Sequence, residues 1–320
     1  MKKTAKTWYI TAAALVLMGC ILFIGVMSSV GWDVSRLSAV SFETRIHEIA
    51  EPFRDLSLTT DTANIVFARS EDGSCRVACY EEANAAHSVT VENGVLLIRR
   101  IDQRSWYDHI GFRFSSPRIT VYLPQAEYGA LSVCESTGDI HLPKGLSFGR
   151  MDLSASTGSI RCSADAREAV RLKTGTGDLC LADASAGSLD LSVTTGQIKV
   201  SDVRCAGDIT VSVSTGKAYL TRIACKNLIS SGTTGDIFLE DTAAAEAFSL
   251  ERSTGNVRFD RADASEIFVR TGTGNVTGSL LTDKVFLTQT DTGTVEVPQT
   301  ITGGRCEIRT DTGDIELKID

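Results

Sequence analysis

A repeated threonine–glycine pair is the feature of this sequence that most constrains its fold. Ten glycines recur at intervals of 19 or 20 residues, and a threonine precedes each of them. The ten glycines are Gly138, Gly158, Gly177, Gly196, Gly216, Gly235, Gly255, Gly274, Gly293 and Gly313. A fixed period near 20 residues is typical of architectures that stack one short unit on the next. The sequence therefore predicts a stacked repeat over residues 131–320.

Apolar and polar residues alternate on both sides of each repeat glycine. The second residue after the glycine and the seventh before it are apolar in all ten copies. Alternation with a period of two is typical of half-buried β-strands, whereas an amphipathic helix has a period of 3.6. The glycine is then a corner between strands, where it permits a positive φ angle without a Cβ clash. We predict an all-β fold, a parallel β-solenoid of about ten coils, with handedness and the number of sheets per coil left open.

The residues that flank the corner glycine have their own predicted places. If the coils stack in register, the ten threonines form a column along the rod. The residue after the glycine is often Asp, Asn, Ser or Thr. Such side chains commonly hydrogen-bond their own backbone at turns, so we expect turn stabilisation in this column rather than acid–base chemistry.

The N-terminal segment predicts a membrane anchor. Residues 7–31 are uncharged and mostly apolar, and about 20 such residues span a bilayer. Three lysines in residues 1–6 precede the run and Asp33 follows it, which favours a cytoplasmic N-terminus and an extracytoplasmic C-terminal domain. Lipidation at Cys20, in the segment Leu-Met-Gly-Cys, and a cleaved secretory signal are the alternatives.

The residues between anchor and repeats divide into a stalk and a cap. We interpret residues 32–53 as the stalk and residues 54–130 as a degenerate first coil with a β-hairpin cap. In that coil Ala63 aligns with the repeat glycine, and Asn93-Gly94 predicts a tight hairpin turn. A solenoid needs such a cap because its last coil otherwise leaves an apolar end open to water.

This organisation resembles the bacterial putative-adhesin domain family, a group of membrane-anchored β-strand-repeat proteins. The resemblance rests on the lysine-led anchor, the entry region that ends in ITVYLP, and the ladder of STGDI-like repeats. It covers nearly the whole chain from about residue 32. It implies a β-repeat fold in the cell envelope and an adhesive role, and it implies neither catalytic residues nor a cofactor.

The residues themselves favour a non-catalytic protein. Residues 31–320 carry 29 basic and 40 acidic side chains, which argues against nucleic acid as a partner. The coils vary by one residue in length, so they leave no loops to wall an active-site groove. The four histidines lack a metal-binding spacing, no C-x-x-C occurs, and Asp291, Asp311 and Asp314 lack the glycine-rich nonapeptide of calcium-binding β-rolls. We therefore predict no catalytic, cofactor or metal site.

Two pairs of residues stand out as candidates. Trp106 and Tyr107 lie in the excursion between the first coil and the repeats, and they could form a contact tip for a glycan or a protein. Cys205 and Cys225 each lie nine residues after a repeat glycine, so a registered stack makes them neighbours about 4.8 Å apart. That separation is within the range of a disulfide, and the sequence leaves open whether they are bridged or reduced.

The function predicted from these features is binding or structural. We expect a single-pass protein of the cytoplasmic membrane, held by residues 7–31, whose exterior solenoid acts as an adhesin or cell-envelope binding protein. The partner would be an envelope protein or glycan, and the oligomeric state stays open. The alternatives are an accessory protein in envelope-stress sensing or signalling and, less favoured, a glycan-cleaving β-helix enzyme.

Overall fold

The computed structural model describes residues 2–32, 42–101 and 116–320. It begins with helix α1 (Lys2–Ser29). Within this helix Thr7–Ser29 has a mean hydropathy of 2.6 and is long and apolar enough to cross a membrane. A single-pass anchor and a signal sequence share these properties.

The rest of the described chain is β-structure that winds into a solenoid, as the repeat predicted. The N-terminal region holds β1 (Phe42–Ile49), β2 (Asp55–Thr62), β3 (Asn64–Arg69), β4 (Cys75–Glu82), β5 (His87–Glu92), β6 (Val95–Arg100) and β7 (Arg118–Leu123). The first half of the repeats holds β8 (Glu127–Thr137), β9 (Ile140–Leu142), β10 (Ser147–Thr157), β11 (Ile160–Cys162), β12 (Asp165–Ala166), β13 (Ala169–Thr176), β14 (Leu179–Ala182), β15 (Ser185–Ala186), β16 (Ser188–Thr195) and β17 (Ile198–Cys205). The second half holds β18 (Ile209–Thr215), β19 (Ala218–Thr234), β20 (Ile237–Glu240), β21 (Ala243–Thr254), β22 (Val257–Thr273), β23 (Val276–Leu280), β24 (Lys284–Thr292), β25 (Val295–Glu296), β26 (Gly304–Thr312) and β27 (Ile315–Ile319).

The strands before and after the corner glycines form two long parallel ladders, and the coils are in register. Thr157, for example, is the ladder partner of Thr137 on one side and of Thr176 on the other. Aliphatic residues two and four positions after the glycine stack inward in the same way, as Ile160 does on Ile140. The side chains between the two ladders are almost wholly buried, so one continuous apolar core runs along the rod.

A second corner, six residues after the glycine, leads to a short third segment in the middle coils. Its residues have positive φ angles near 50° although none is a glycine: they are Asp183, Asp202, Arg222, Asp241 and Arg261. The third segment buries small side chains, and the register stacks Ala186 beside Cys205 and Cys225 beside Ala244. Each of these coils therefore has three sides, which the sequence left open.

At the N-terminal end the first coil lies inside the stack. Strands β2 and β3 are flanked on one side by β8 and β9, and on the other by β6 and β7, with Leu56 opposite both Leu131 and Leu96. Thr62 is opposite Thr137, so Ala63 occupies the corner that the alignment gave it. The hairpin between β5 and β6 turns at Asn93 and Gly94, both with positive φ.

The predicted stalk is too long. Strand β1, which lies within residues 32–53, pairs antiparallel with β4, and β4 pairs antiparallel with β7. The alternating pattern of Phe42–Ile49 was present in the sequence, but strand β4, its partner, lies more than 25 residues further along the chain.

At the C-terminal end the last coil also lies inside the stack. Thr312 is the ladder partner of Thr273 on one side and of Thr292 on the other. Ile315 is likewise flanked by Val276 and Val295. The Gly313 coil therefore lies between the Gly274 and Gly293 coils. The charged final strands β26 and β27 are therefore interior strands of the described stack, and β24 and β25 form its C-terminal edge.

Candidate binding surface

The corner glycines are required by close stacking as well as by their conformation. All ten have φ between +124° and +158°. At Gly235 an added Cβ would also overlap the carbonyl group of Gly216 in the coil beneath it. Ala63 is the one residue in this column with a side chain, and its φ is not positive. The glycine column therefore sets the spacing of the coils.

The polar residues after the glycines form hydrogen bonds between coils. We had expected them to bond the backbone of their own corner. Asp139 Oδ1 accepts a hydrogen bond of 2.8 Å from the backbone amide of Ser159 in the next coil. Asn256 Oδ1 accepts one of the same length from the amide of Asn275. At the C-terminal end Asp314 Oδ1 accepts from the amide and the hydroxyl of Thr294. This column is a structural ladder whose acceptors are already occupied.

An outward column of cationic and aromatic side chains runs along the ladder that follows the glycines. It consists of the residues three positions after the glycine in seven consecutive coils: His141, Arg161, Cys180, Lys199, Tyr219, Phe238 and Arg258. We call this set the outward column. The sequence pattern showed its polar members, but it did not reveal that two aromatic residues continue the same line.

The centre of the outward column is an aromatic stack flanked by lysines. The rings of Tyr219 and Phe238 are 4.9 Å apart and inclined by 6°. The ammonium of Lys199 lies 5.9 Å from the Tyr219 ring, and that of Lys217 lies 5.6 Å from the Phe238 ring. Lys217 also pairs with Asp236 at 3.0 Å, so Lys199 is the lysine of this stack with no described ion pair. A cation beside aromatic rings on a sheet offers charge and apolar area to a polymer that lies along the rod.

The opposite ladder carries a shallow groove of about 590 Å³, in which one arginine pairs with two aspartates. Arg171 lies 3.0 Å from Asp190 and 4.0 Å from Asp152, both of which line the groove. Glycosidases need one carboxylic acid and one carboxylate that face the same bond. In this groove the two aspartates share one arginine as their ion-pair partner.

Glu135 is the described carboxyl group whose pKa rises most clearly, and it lies in the core rather than in a groove. Burial raises its pKa from 4.5 to about 7, against the lowering effect of backbone hydrogen bonds. One carboxyl oxygen accepts from the amides of Ala63 and Thr137. This group joins the first coil to the repeats and has no access to a substrate.

Charged residues at the second corner pair between coils. The guanidinium of Arg222 forms two hydrogen bonds to the carboxylate of Asp202, of 2.6 and 2.7 Å, and Arg261 pairs with Asp241 in the same way. The Arg222 hydrogen bond lowers the pKa of Asp202. Both pairs are exposed, so they contribute little to stability and mainly keep this edge of the rod polar.

The predicted candidates fall into different places. Trp106 and Tyr107 lie outside the described residues, so the contact tip stays a prediction. Cys205 and Cys225 are buried free thiols on adjacent coils, since Arg204 and Ala224 before them are ladder partners. Each thiol is within 4 Å of a backbone carbonyl oxygen, Gly187 O for Cys205 and Ala243 O for Cys225.

One group of potential metal ligands converges among the residues that the structure describes. Cys79, Glu81 and His87 meet in the N-terminal cap, and all three are buried. No short spacing motif connects them, which is why the sequence pattern did not reveal the group.

The architecture defines a class of protein: a β-solenoid with an N-terminal apolar helix. The Toastrack DUF4097 family model matches residues 53–212 and 204–320. Because these matches cover most of the chain, the chain belongs to the Toastrack DUF4097 family. Among curated proteins, none matches the chain.

Several solved structures are similar over most of their length. A putative lipid binding protein from Parabacteroides distasonis has 10% identity and a TM-score of 0.50, with 86% of this chain and 97% of that chain covered. A putative adhesin from Bacteroides fragilis has 16% identity and a TM-score of 0.44, with 87% and 97% covered. A putative adhesin from Parabacteroides distasonis has 11% identity and a TM-score of 0.47, with 87% and 98% covered. At these identities the likeness concerns the fold alone. The family match confirms the predicted resemblance and the β-solenoid.

Proposed function

We propose that the chain is a membrane-anchored, non-catalytic binding protein whose solenoid lies outside the cytoplasmic membrane. The outward column carries this proposal, because it places three cations in line with two aromatic rings on a chain of net charge −8; these residues are Arg161, Lys199, Arg258, Tyr219 and Phe238. The partner that fits is an extended, negatively charged glycan of the cell envelope, laid along the rod. The paired acids of the opposite groove support the non-catalytic role.

The orientation of the anchor is part of the same proposal. Lys2, Lys3 and Lys6 precede the apolar run, and cytoplasmic flanks of membrane helices are rich in such residues. An N-terminus inside the cell would place the solenoid outside. Protease added to intact cells, after removal of the wall, should then digest the solenoid and spare the N-terminus.

The binding test compares two faces of the same rod. The detergent-solubilised full chain is incubated with purified cell-wall glycan, as wild type and with Arg161→Glu and Lys199→Glu combined. The matched control combines Lys173→Glu and Arg270→Glu, which remove the same charges from the other ladder. We expect more than tenfold weaker binding for the first pair and less than a twofold change for the control. Equal effects, or none, would contradict the proposed surface.

The alternative roles have their own readouts. A deletion strain that loses attachment or glycan retention supports binding. A strain that changes only its transcription under envelope stress supports the sensing alternative. Release of reducing ends from cell-wall glycan by the wild-type chain would support the glycan-cleaving alternative and overturn the non-catalytic proposal.

A further inference from the structure

The N-terminal cap brings a thiol, a carboxylate and an imidazole together on its buried face. Cys79 and Glu81 are alternate residues of β4 and point the same way, and His87 begins β5 after a short turn. Their exposed fractions are 0%, 1% and 5%. The thiol sulfur, a carboxylate oxygen and a ring nitrogen all lie within 4.8 Å of one another.

The contacts within this group leave polar atoms without partners. Glu81 Oε2 lies 2.6 Å from His87 Nδ1 and accepts a hydrogen bond of 2.7 Å from the His87 amide. Glu81 Oε1 and His87 Nε2 are buried and have no hydrogen-bond partner among the residues that the structure describes. Buried polar atoms nearly always have a partner, because leaving one unsatisfied costs roughly 1–3 kcal/mol. Of these two atoms, Glu81 Oε1 has only the Arg45 guanidinium 3.6 Å away and His87 Nε2 has no described partner, so both can accept a further ligand.

Arg45 is the cation that lies near this group, and its charge is shared with a second carboxylate. Arg45 is the nearest positive charge, with Nη1 3.6 Å from Glu81 Oε1. Its other terminal nitrogen pairs with Glu43, so part of its charge is already neutralised.

The donor set selects the metal. Thiolate, imidazole and carboxylate are the three ligand types that zinc combines in proteins, whereas calcium and magnesium prefer oxygen ligands alone. We propose that Cys79, Glu81 and His87 bind one zinc ion, which ties β4 to β5 beneath the N-terminal cap. Three protein ligands leave the fourth tetrahedral position to a water molecule. Binding releases the Cys79 thiol proton to solvent as the sulfur–zinc bond forms, and no redox change occurs.

This site would make the stability of the cap depend on metal. An ion that binds the folded state alone raises the melting temperature in proportion to the logarithm of its free concentration. The zinc ligands lie on β4 and β5, which pair with β1, β7 and β6 rather than with any strand of the outward column, so metal binding and glycan binding can be measured separately.

The test uses the full chain in detergent, stripped of metal with a chelator. After zinc is added back, inductively coupled plasma mass spectrometry should find one zinc per chain, and the melting temperature should rise. With cobalt in place of zinc, the absorption spectrum should show a thiolate-to-metal charge-transfer band. Loss of a residue that merely contacts a metal ligand weakens metal binding roughly 10–100-fold. Cys79→Ser and His87→Gln each remove a ligand, so each should weaken zinc binding by more than this. Cys75→Ser is the matched control, since Cys75 is a buried cysteine on the same face of β4 but outside the group.

A second measurement does not depend on whether the variants fold. X-ray absorption at the zinc edge of the wild-type chain should show one sulfur ligand, with nitrogen or oxygen in the other positions. Binding that survives both ligand substitutions is an adventitious ion only and overturns the proposal. A site with no sulfur or with several, or a wild-type chain that takes up no zinc, also overturns it and leaves a metal-free Glu81–His87 pair.

Discussion

The two ends of the solenoid are built on the same plan and finished differently. At each end the terminal coil of the chain is inserted between two others, so its strands have ladder partners on both sides. At the N-terminal end β1, β4 and β5 add antiparallel strands beyond the outermost coil. At the C-terminal end the outermost coil, β24 and β25, is the last described layer, and Leu287 and Val295 are 49% and 45% exposed.

This difference separates two problems that a solenoid must solve. Insertion of the terminal coil prevents fraying, because a strand bonded on both sides cannot peel away from an end. Covering the end protects apolar side chains from water and blocks edge-to-edge pairing with another chain. The protein solves the first problem at both ends, and within the described residues it solves the second at the N-terminal end only.

The largest expected effect comes from removing the inserted coil. A chain that ends at residue 303 lacks the Gly313 coil and leaves the Gly293 coil without its partner. A chain that ends at residue 281 lacks both. Since the Gly313 coil buries Cys306, Ile308 and Ile315 completely, we expect each truncation to cost on the order of 5 kcal/mol, and both chains to melt at the same temperature.

Limited proteolysis checks the same pair of chains. In the chain that ends at residue 303, residues 284–303 should be digested rapidly. Protection of that segment would mean that the Gly293 coil stacks directly on the Gly274 coil, against the insertion.

A corner glycine in the middle of the rod should be nearly as sensitive. Gly235→Val adds strain from the positive φ and a clash with the carbonyl of Gly216, so we expect a loss of roughly 2–6 kcal/mol in unfolding free energy. Arg258→Val changes an exposed side chain and should cost less than about 0.5 kcal/mol. Chemical denaturation measures both, and equal losses would show that the corners do not set the coil spacing.

One buried position, seven residues before the corner glycine of the repeats, can be probed in the outermost coil at each end. Leu96 and Phe286 occupy matching positions in the two outermost coils, but Leu96 is fully buried and Phe286 only partly. We expect Leu96→Ala to cost about 2–5 kcal/mol and Phe286→Ala about 1–2 kcal/mol, although phenylalanine is larger. A greater loss for Phe286→Ala would mean that the C-terminal end is covered as well as the N-terminal end.

The smallest effect is a pH dependence confined to the N-terminal region. The pKa of Glu135 rises on folding from 4.5 to about 7, so its contribution to stability is complete below pH 4.5 and is lost as the pH rises through 7. Glu135→Gln removes this dependence, and above pH 8 it should be more stable than wild type by about 1–2 kcal/mol. Thr310→Val, at the corresponding position of the Gly313 coil, should leave the pH profile of wild type unchanged. A Glu135→Gln profile parallel to that of wild type would contradict the buried, protonated state.

Local sequence patterns predicted the corners and strands within each coil. They did not predict which coils, distant in sequence, lie next to one another. The corners, the alternation and the place of Ala63 follow from a period that every coil obeys. That uniform period cannot say which coil lies beside which, so the insertions at both ends were missed. A signal for the exposed end was present in Thr288, a polar residue at a position that is apolar in most other coils.

The candidate site was predicted less well than the fold. The sequence pattern did not reveal the second corner, because that position is aspartate in some coils and arginine in others. The sequence pattern did not reveal the outward column as one surface. Tyr219 and Phe238 differ in type from its polar members, although all of them share one ladder register. The group of potential metal ligands forms because a turn brings His87, at the start of β5, beside Cys79 and Glu81 on β4. No spacing motif in the sequence predicts this arrangement.

The order of the last coils is tested most directly by engineered cysteine pairs in the full chain. Phe268, Leu287 and Glu307 lie at equivalent positions, and Glu307 is the ladder partner of both of the others. Neighbouring coils place Cα atoms about 4.8 Å apart, within disulfide range, and a coil in between raises this to about 9.6 Å, which is out of range. Ser249→Cys with Phe268→Cys is the positive control, since these residues are ladder partners in consecutive coils. With oxidation followed by peptide mass spectrometry, we predict a bond for the 268–307 pair and none for the 268–287 pair. A bond for 268–287 without one for 268–307 would contradict the inserted coil.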